Sequence, residues 1–326
     1  MTALRSGYYR PMTKLRVLVL AAVVLFACYH GTSAQNCCAP AVPQQGVLGE
    51  TVALPHTLEI GLHYEYLRSE GMYEGSDEIE DPAGTKTAWR RATLALSYGI
   101  VPRLSVSAIL PYLSKKKNFT TAGYDVEYTT DGIGDMTFIV RYSIIPRDFV
   151  TFRELSLSLG LKAPTGATDR ENMDFVLPEE LQPGTGTWDY QAALSFYQGF
   201  EPVDFVVSGT YLLTGTHERF KFGNLFSYLL TANYHLHPRV DITAALTGTV
   251  KARDALDDEK ISTTGRHQLW FTPGVQFQVI PKWLRLQLFF ETPVYQHFNG
   301  VQLGSDFNIR LSLSGLIPFE HSADDE

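Results

Sequence analysis

The chain has 326 residues, 44 % of them hydrophobic and 19 % charged, with a formal net charge of −8 and a mean hydropathy close to zero. Beyond residue 34 no stretch approaches the ~20 apolar residues of a membrane-crossing helix, which excludes a helical membrane protein, and the acidic balance excludes nucleic acid as a partner. Three cysteines, Cys28, Cys37 and Cys38, are too few for a fold stapled by disulfides.

The N-terminus reads as an export signal spanning residues 1–34. Met12-Thr-Lys-Leu-Arg16 supplies positive charge, Val17 to Ala27 is apolar, and Thr32-Ser-Ala34 offers small residues for cleavage before Gln35. The alternative is lipidation at Cys28, because Leu25-Phe-Ala-Cys28 loosely resembles a lipobox, although Phe26 is large for it. Removing residues 1–34 takes away Arg5, Arg10, Lys14 and Arg16 and no acid, so 23 cations then face 35 acids, a charge near −12. Residues 35–56 follow as a proline-rich arm, largely uncharged until Glu50, placed in the periplasm or in a lumen. Its adjacent Cys37 and Cys38 could hold a soft metal such as copper(I), form a vicinal disulfide or pair with another chain. No third cysteine or histidine stands nearby, so they are weak metal candidates and no cofactor is expected.

From residue 57 the pattern has period two, one apolar and one polar face. In 240–251, Val240, Ile242, Ala244, Leu246 and Val250 oppose Asp241, Thr243, Thr247, Thr249 and Lys251. Such runs predict about twelve strands: 57–67, 88–100, 103–114, 133–145, 149–162, 187–198, 202–215, 224–237, 239–251, 266–280, 283–295 and 305–319. Each has ten residues or more, whereas globular strands average ~5–6 and a tilted membrane-crossing strand needs ~9–11. Alternate links are tight and centre on Pro102, Pro146, Pro202, Pro238 and Pro281; the others, 68–87, 115–132, 163–186, 216–223, 252–265 and 296–304, are longer. Short periplasmic turns and long extracellular loops characterise outer-membrane barrels. Proline suits the turns because it fixes φ and leaves no donor unpaired where the ladder ends. The expected fold is therefore all-β, an antiparallel transmembrane β-barrel over 57–319, closing near Phe319 with a tail at 320–326.

A soluble sandwich would also alternate, with its apolar face packed inside. Here the polar face carries Glu59, His63, Glu65, Arg91, Arg141, Glu154, Lys162, Arg285, Glu291 and Arg310. Packing these into a dry core would cost several kcal/mol for each unpaired ion, whereas a wet lumen accepts them. They are the lumen-facing candidates. Aromatics near strand ends, among them Tyr64, Tyr66, Tyr112, Trp188, Tyr211 and Trp283, fit girdles at the two membrane interfaces.

Three segments, "DGIGDMTFIVRYSII" (131–145), "LGLKAPTGATDR" (159–170) and "PGTGTWDYQAALSF" (183–196), resemble the outer-membrane barrel family named after the meta-pathway of phenol degradation. The resemblance covers 57–319. It implies a passive outer-membrane channel, related in architecture to fatty-acid and aromatic-hydrocarbon channels, without naming the permeant.

The remaining features read as follows. Gly132, Gly134, Gly166, Gly184 and Gly186 mark places where long loops leave and rejoin strands. Lys115, Lys116 and Lys117 are either solvated or in contact with outer-leaflet lipid phosphates, and the acids of 70–81 are solvated or gate cations. His63, His217, His267 and His297 have no evident serine partner, so no nucleophile–base pair marks an enzyme. The expected function is passage of small hydrophobic or aromatic molecules across the outer membrane; the alternative is a non-conducting structural or adhesive barrel. Expected partners are outer-membrane lipid and lipopolysaccharide, the barrel-assembly machinery and a small-molecule permeant. An arm lying in the lumen would meet Arg91, Arg141 and Arg310.

Overall fold

The computed structural model describes residues 51–319 apart from Phe149 and Met173. The export signal, Cys28, Cys37, Cys38, most of the arm and the tail 320–326 lie outside the described residues. Twelve long strands follow one another: β1 (Thr57–Glu70), β2 (Lys86–Val101), β3 (Leu104–Thr121), β4 (Met136–Ile145), β5 (Arg153–Ala163) and β6 (Asp189–Phe200). The second half comprises β7 (Val203–Leu213), β8 (Leu225–His237), β9 (Val240–Lys251), β10 (Arg266–Ile280), β11 (Leu284–Leu303) and β12 (Phe307–Pro318).

Each strand pairs antiparallel with its neighbours in sequence, and β12 pairs with β1 from Thr57↔Pro318 to Arg68↔Phe307, so the sheet closes on itself. Closure leaves no unpaired edge, the condition for crossing hydrocarbon with strands. Among the described residues no helix is long and apolar enough to cross a membrane, which says nothing about strands.

The burial pattern is inverted relative to a soluble protein. On β9, Thr243 and Thr249 are 3 % and 5 % exposed while Ile242 and Val250 are 47 % and 41 % exposed. The same inversion runs round the barrel: Ser156, Ser208, Ser227, Thr272 and Ser312 are buried, whereas Leu157, Val207, Phe226, Phe271 and Leu311 face outward. An apolar belt this continuous is stable only in lipid. The tight turns carry Pro102, Pro146, Pro202, Pro238 and Pro281 on the same side as both barrel termini. In the longest of them Asp148 accepts from the amides of Val150 and Thr151, and these bonds hold its carboxyl below the usual carboxylate range.

Three expected loops, 68–87, 115–132 and 296–304, carry ladders instead. β3 continues to Thr121 and pairs with a strand at Tyr124–Ile133, and β11 continues to Leu303, where it pairs with Met72–Gly75. Above the lipid the outer face of a ribbon no longer meets hydrocarbon, so the apolar alternation that marks a strand fades although the pairing persists. The remaining long links fold compactly as well: Glu171–Asn172 pairs with Phe175–Val176, Glu179–Leu181 forms a short 3-10 turn, and Phe220–Lys221, Ala255–Leu256 and Glu259–Lys260 make a small sheet.

Candidate functional site: the barrel lumen

The barrel encloses a cavity of 640 Å³ with two unlike walls. One is ionic. Glu65 on β1 stands in register with Arg91 on β2 and Arg310 on β12, the spacing at which opposite charges on neighbouring strands meet. Arg91 pairs with Glu65, and Arg310 Nη2 reaches Glu291 Oε1 at 2.7 Å. Asn308 donates to the other oxygen of Glu291 at 2.8 Å, and the Arg310 guanidinium lies 4.9 Å from the centre of the Phe289 ring. The pairing offsets the cost of holding these ions out of bulk water. The other wall, on β7–β9, is uncharged along its middle, where Val206, Leu212, Leu225, Leu229, Ala245 and Thr247 line the cavity.

The ten sequence candidates divide by position. Glu65, Arg91, Lys162, Arg285, Glu291 and Arg310 line the cavity. Glu59 lies on the same inner face towards the turns, with Arg285 and Arg141 as its charged neighbours. His63 is built into the wall: its ring folds over Gly61, and Nδ1 lies 2.9 Å from Ser312 Oγ. Arg141 and Glu154 grip the described end of the arm. Arg141 Nη1 donates to Thr51 O at 2.8 Å, and Val52 N donates to Glu154 Oε1 at 2.9 Å. Thr51 lines the cavity, so this segment enters the barrel from the turn side.

Lys162 sits at the opposite end between two buried carboxylates, 2.5 Å from Asp189 Oδ2 and 3.2 Å from Asp135 Oδ2. Asp135 also accepts from the amides of Gly166 and Thr185, and Asp189 accepts from the amide of Gly215. The backbones of Gly166 and Gly184 approach too closely for a Cβ at either. The three segments that carry the family resemblance therefore meet in one clasp, which folds the loop 164–188 over the mouth.

Several functional positions were not among the candidates. Lys115 points inward and donates to the carbonyls of Glu180 and Gln182 at 2.8 and 2.7 Å, pinning that loop, while Lys116 faces outward and pairs with Glu127. The lysine run thus splits between two faces, as alternation dictates. At the turn-side mouth His235 lies between Asp241 Oδ1 at 2.8 Å and Asp204 Oδ2 at 3.2 Å. Only the clasp had a visible signal, the Gly-Asp at 134–135 and Trp-Asp at 188–189. Among the described residues no group of three or more His, Cys, Asp or Glu is placed to hold a metal.

The fold has solved relatives. An outer membrane channel from Pseudomonas putida F1 shares 17 % identity over 82 % of this chain and 98 % of its own, with a TM-score of 0.63. A FadL homologue of Pseudomonas aeruginosa (11 % identity, 88 % and 100 % of the chains, TM-score 0.42) and the CymD monoaromatic hydrocarbon channel (9 %, 82 % and 90 %, TM-score 0.43) match more distantly. No curated protein matches in sequence. The family described as "Putative MetA-pathway of phenol degradation" matches residues 85–307, and the chain belongs to that family of barrels.

Proposed function

We propose that the protein is a bacterial outer-membrane channel for the passive passage of small hydrophobic or aromatic molecules, and not an enzyme. The observation that carries this reading is the lumen itself, a 640 Å³ chamber in which a wall uncharged along its middle, with Val206, Leu212, Leu225, Leu229 and Ala245 among threonines, stands opposite a paired ionic one. A ring-sized apolar solute gains ~25 cal/mol for each Å² it removes from water against such a wall. Paired charges across from it hold no strong net field to trap an ion. The outer-leaflet lipopolysaccharide, the surrounding lipid and the barrel-assembly machinery are the partners that such a barrel requires.

The second reading, a non-conducting structural or adhesive barrel, is favoured by one feature: Thr51 and Val52 are held at one end of the barrel while the loop 164–188 covers the other. Single-channel conductance together with liposome swelling separates the two. Current steps, and swelling in small neutral solutes, are expected from the purified folded barrel; a silent bilayer with a correctly folded protein would leave the structural reading standing.

A further inference from the structure

The outer face of the wall made by β11, β12, β1, β2 and β3 is layered. Strand register sets Leu286, Leu313, Leu62, Leu94 and Leu110 in one row across all five strands. One row nearer the long loops, Ala92 lies between Tyr64 and Tyr112, and its small side chain leaves a groove of 530 Å³ between the two rings and the leucines. The next row places Arg90 between Tyr66 and Ser114, and the row above that places Ala88 between Arg68 and Lys116. At ~3.3 Å of rise per residue, the wall passes from leucine through tyrosine to cations over a short height. That order of layers is the one found where hydrocarbon gives way to headgroups and water.

The cations of this layer are not equivalent. Arg68 and Lys86 both pair with Glu70, Arg68 also lies 3.6 Å from Asp306, and Lys116 pairs with Glu127 at 2.8 Å. Asp131, beside Ser114, accepts from the Tyr112 hydroxyl at 2.6 Å. Arg90 stands among them, one row above the groove, and has no ion-pair partner among the described residues. Its guanidinium lies 6.0 Å from the centre of the Tyr66 ring. A guanidinium resting on a ring keeps its fork of N–H groups for an anion, and a phosphate accepts two of them at once.

We propose that this face is a binding site for the phosphorylated, multiply acylated glycolipid of the outer leaflet, with a lipid A phosphate on Arg90 and Lys116 and an acyl chain in the groove over Ala92. Two features favour that lipid over a glycerophospholipid. The leucine row is five strands wide, roughly 20 Å at ~4.8 Å per strand, so it covers several chains side by side where a two-chain lipid would leave part of it bare. The carboxylates of Glu70, Glu127, Asp131 and Asp306 that ring the cations match sugar hydroxyls, which donate to them, whereas a small phospholipid headgroup reaches few of them. The inference concerns the outer wall and goes beyond the channel reading, because it holds or fails whatever the lumen passes.

Thermal unfolding of the full-length folded barrel in detergent, followed by the loss of its heat-modifiable form, tests the site. The probes are purified lipopolysaccharide, the same material with its lipid A phosphates removed, phosphatidylglycerol and inorganic phosphate. Intact lipopolysaccharide is expected to raise the midpoint by several degrees and the other three to leave it nearly unchanged. The double variant Arg90→Gln, Lys116→Gln removes the phosphate contacts, Ala92→Phe fills the groove, and Ala232→Phe places the same ring elsewhere on the outer wall as a control. The double variant and A92F are expected to need several-fold more lipopolysaccharide for the same shift, and A232F to match the wild type. Equal shifts in the wild type and the folded double variant, or equal shifts with and without the lipid A phosphates, would overturn the site. A matching shift with phosphatidylglycerol would overturn the choice of lipid. Should A92F not reach the heat-modifiable form, Leu94→Trp narrows the same groove from the next row and is read identically. Single-channel conductance bears on the channel reading alone, so failure of one leaves the other standing.

Discussion

Arg141 on β4 and Glu154 on β5 hold consecutive residues of one segment, the first through the carbonyl of Thr51 at 2.8 Å and the second through the amide of Val52 at 2.9 Å. Hydrogen bonds to charged groups contribute roughly 1.5–3 kcal/mol each, so the two together are enough to keep the segment docked most of the time. The double variant Arg141→Ala, Glu154→Ala should therefore raise single-channel conductance, and deletion of residues 36–54 should raise it further without loss of heat-modifiable folding. A properly folded deletion with unchanged conductance would place the arm outside the conducting path and make the loop 164–188 the narrowest point.

The inverted burial makes a paired prediction on adjacent residues of β5. Leu157 faces outward and Ser156 inward at 1 % exposure. Leu157→Arg should destabilise the barrel by about 2–4 kcal/mol, as for a cation near the bilayer midplane. Ser156→Ala should cost nothing measurable, since its hydroxyl has no hydrogen-bond partner. Urea unfolding in lipid vesicles measures both, and equal tolerance would mean the faces are reversed.

Lys162 balances two carboxylates that are themselves almost fully buried, Asp135 and Asp189. Lys162→Met leaves both uncompensated, a change on the order of 3–5 kcal/mol for a buried pair. The loss falls on the loop rather than on the ladders. Trypsin should then cut folded protein after Arg170 much faster than it cuts the wild type, while the strands stay protected. Unchanged cleavage would show that the Lys115 contacts alone hold the loop.

Cysteine labelling tests the orientation. In a background with Cys37 and Cys38 replaced by serine, cysteines at Tyr124 and Phe175, which are 76 % and 75 % exposed, should react on intact cells with an impermeant reagent. Cysteines beside Pro146 or Pro238 should react only after the outer membrane is breached. The opposite pattern would invert the barrel.

How much of this was legible in the sequence follows from where lipid makes alternation visible. Residues 240–251 read correctly because Ile242 and Val250 meet hydrocarbon while Thr243 and Thr249 do not. The ribbon from Lys115 to Ile133 did not, because its inner face is polar and is covered by the loop at Glu180 and Gln182 while its outer face carries charges such as Lys116 and Glu127, so no apolar alternation marks it. Glu65, Arg91 and Arg310 could be placed on one face by counting, yet that they share a register row depends on strand offsets that no local pattern encodes. Asp135 was visible inside a Gly-Asp motif, but its role comes from Gly166, Thr185 and Lys162, which lie far along the chain. Arg141 and Glu154 were visible as charges, but their work depends on the path of the arm.

The pairing of β1 with β12 has a consequence for how the molecule comes into being. Apart from the short pairing of Met72–Gly75 with the end of β11, the other ladders between the long strands join neighbours in sequence and can form as local hairpins, whereas Thr57↔Pro318 through Arg68↔Phe307 joins the two extremes of the fold. Such a contact carries the largest loop-closure cost and the slowest rate. Until it forms, both strands present a row of bare amides and carbonyls that acyl chains cannot satisfy. Insertion and closure are thereby fused into one late step, and a chain shortened by Phe307–Pro318 is expected to be degraded or aggregated, never recovered as a smaller eleven-stranded pore.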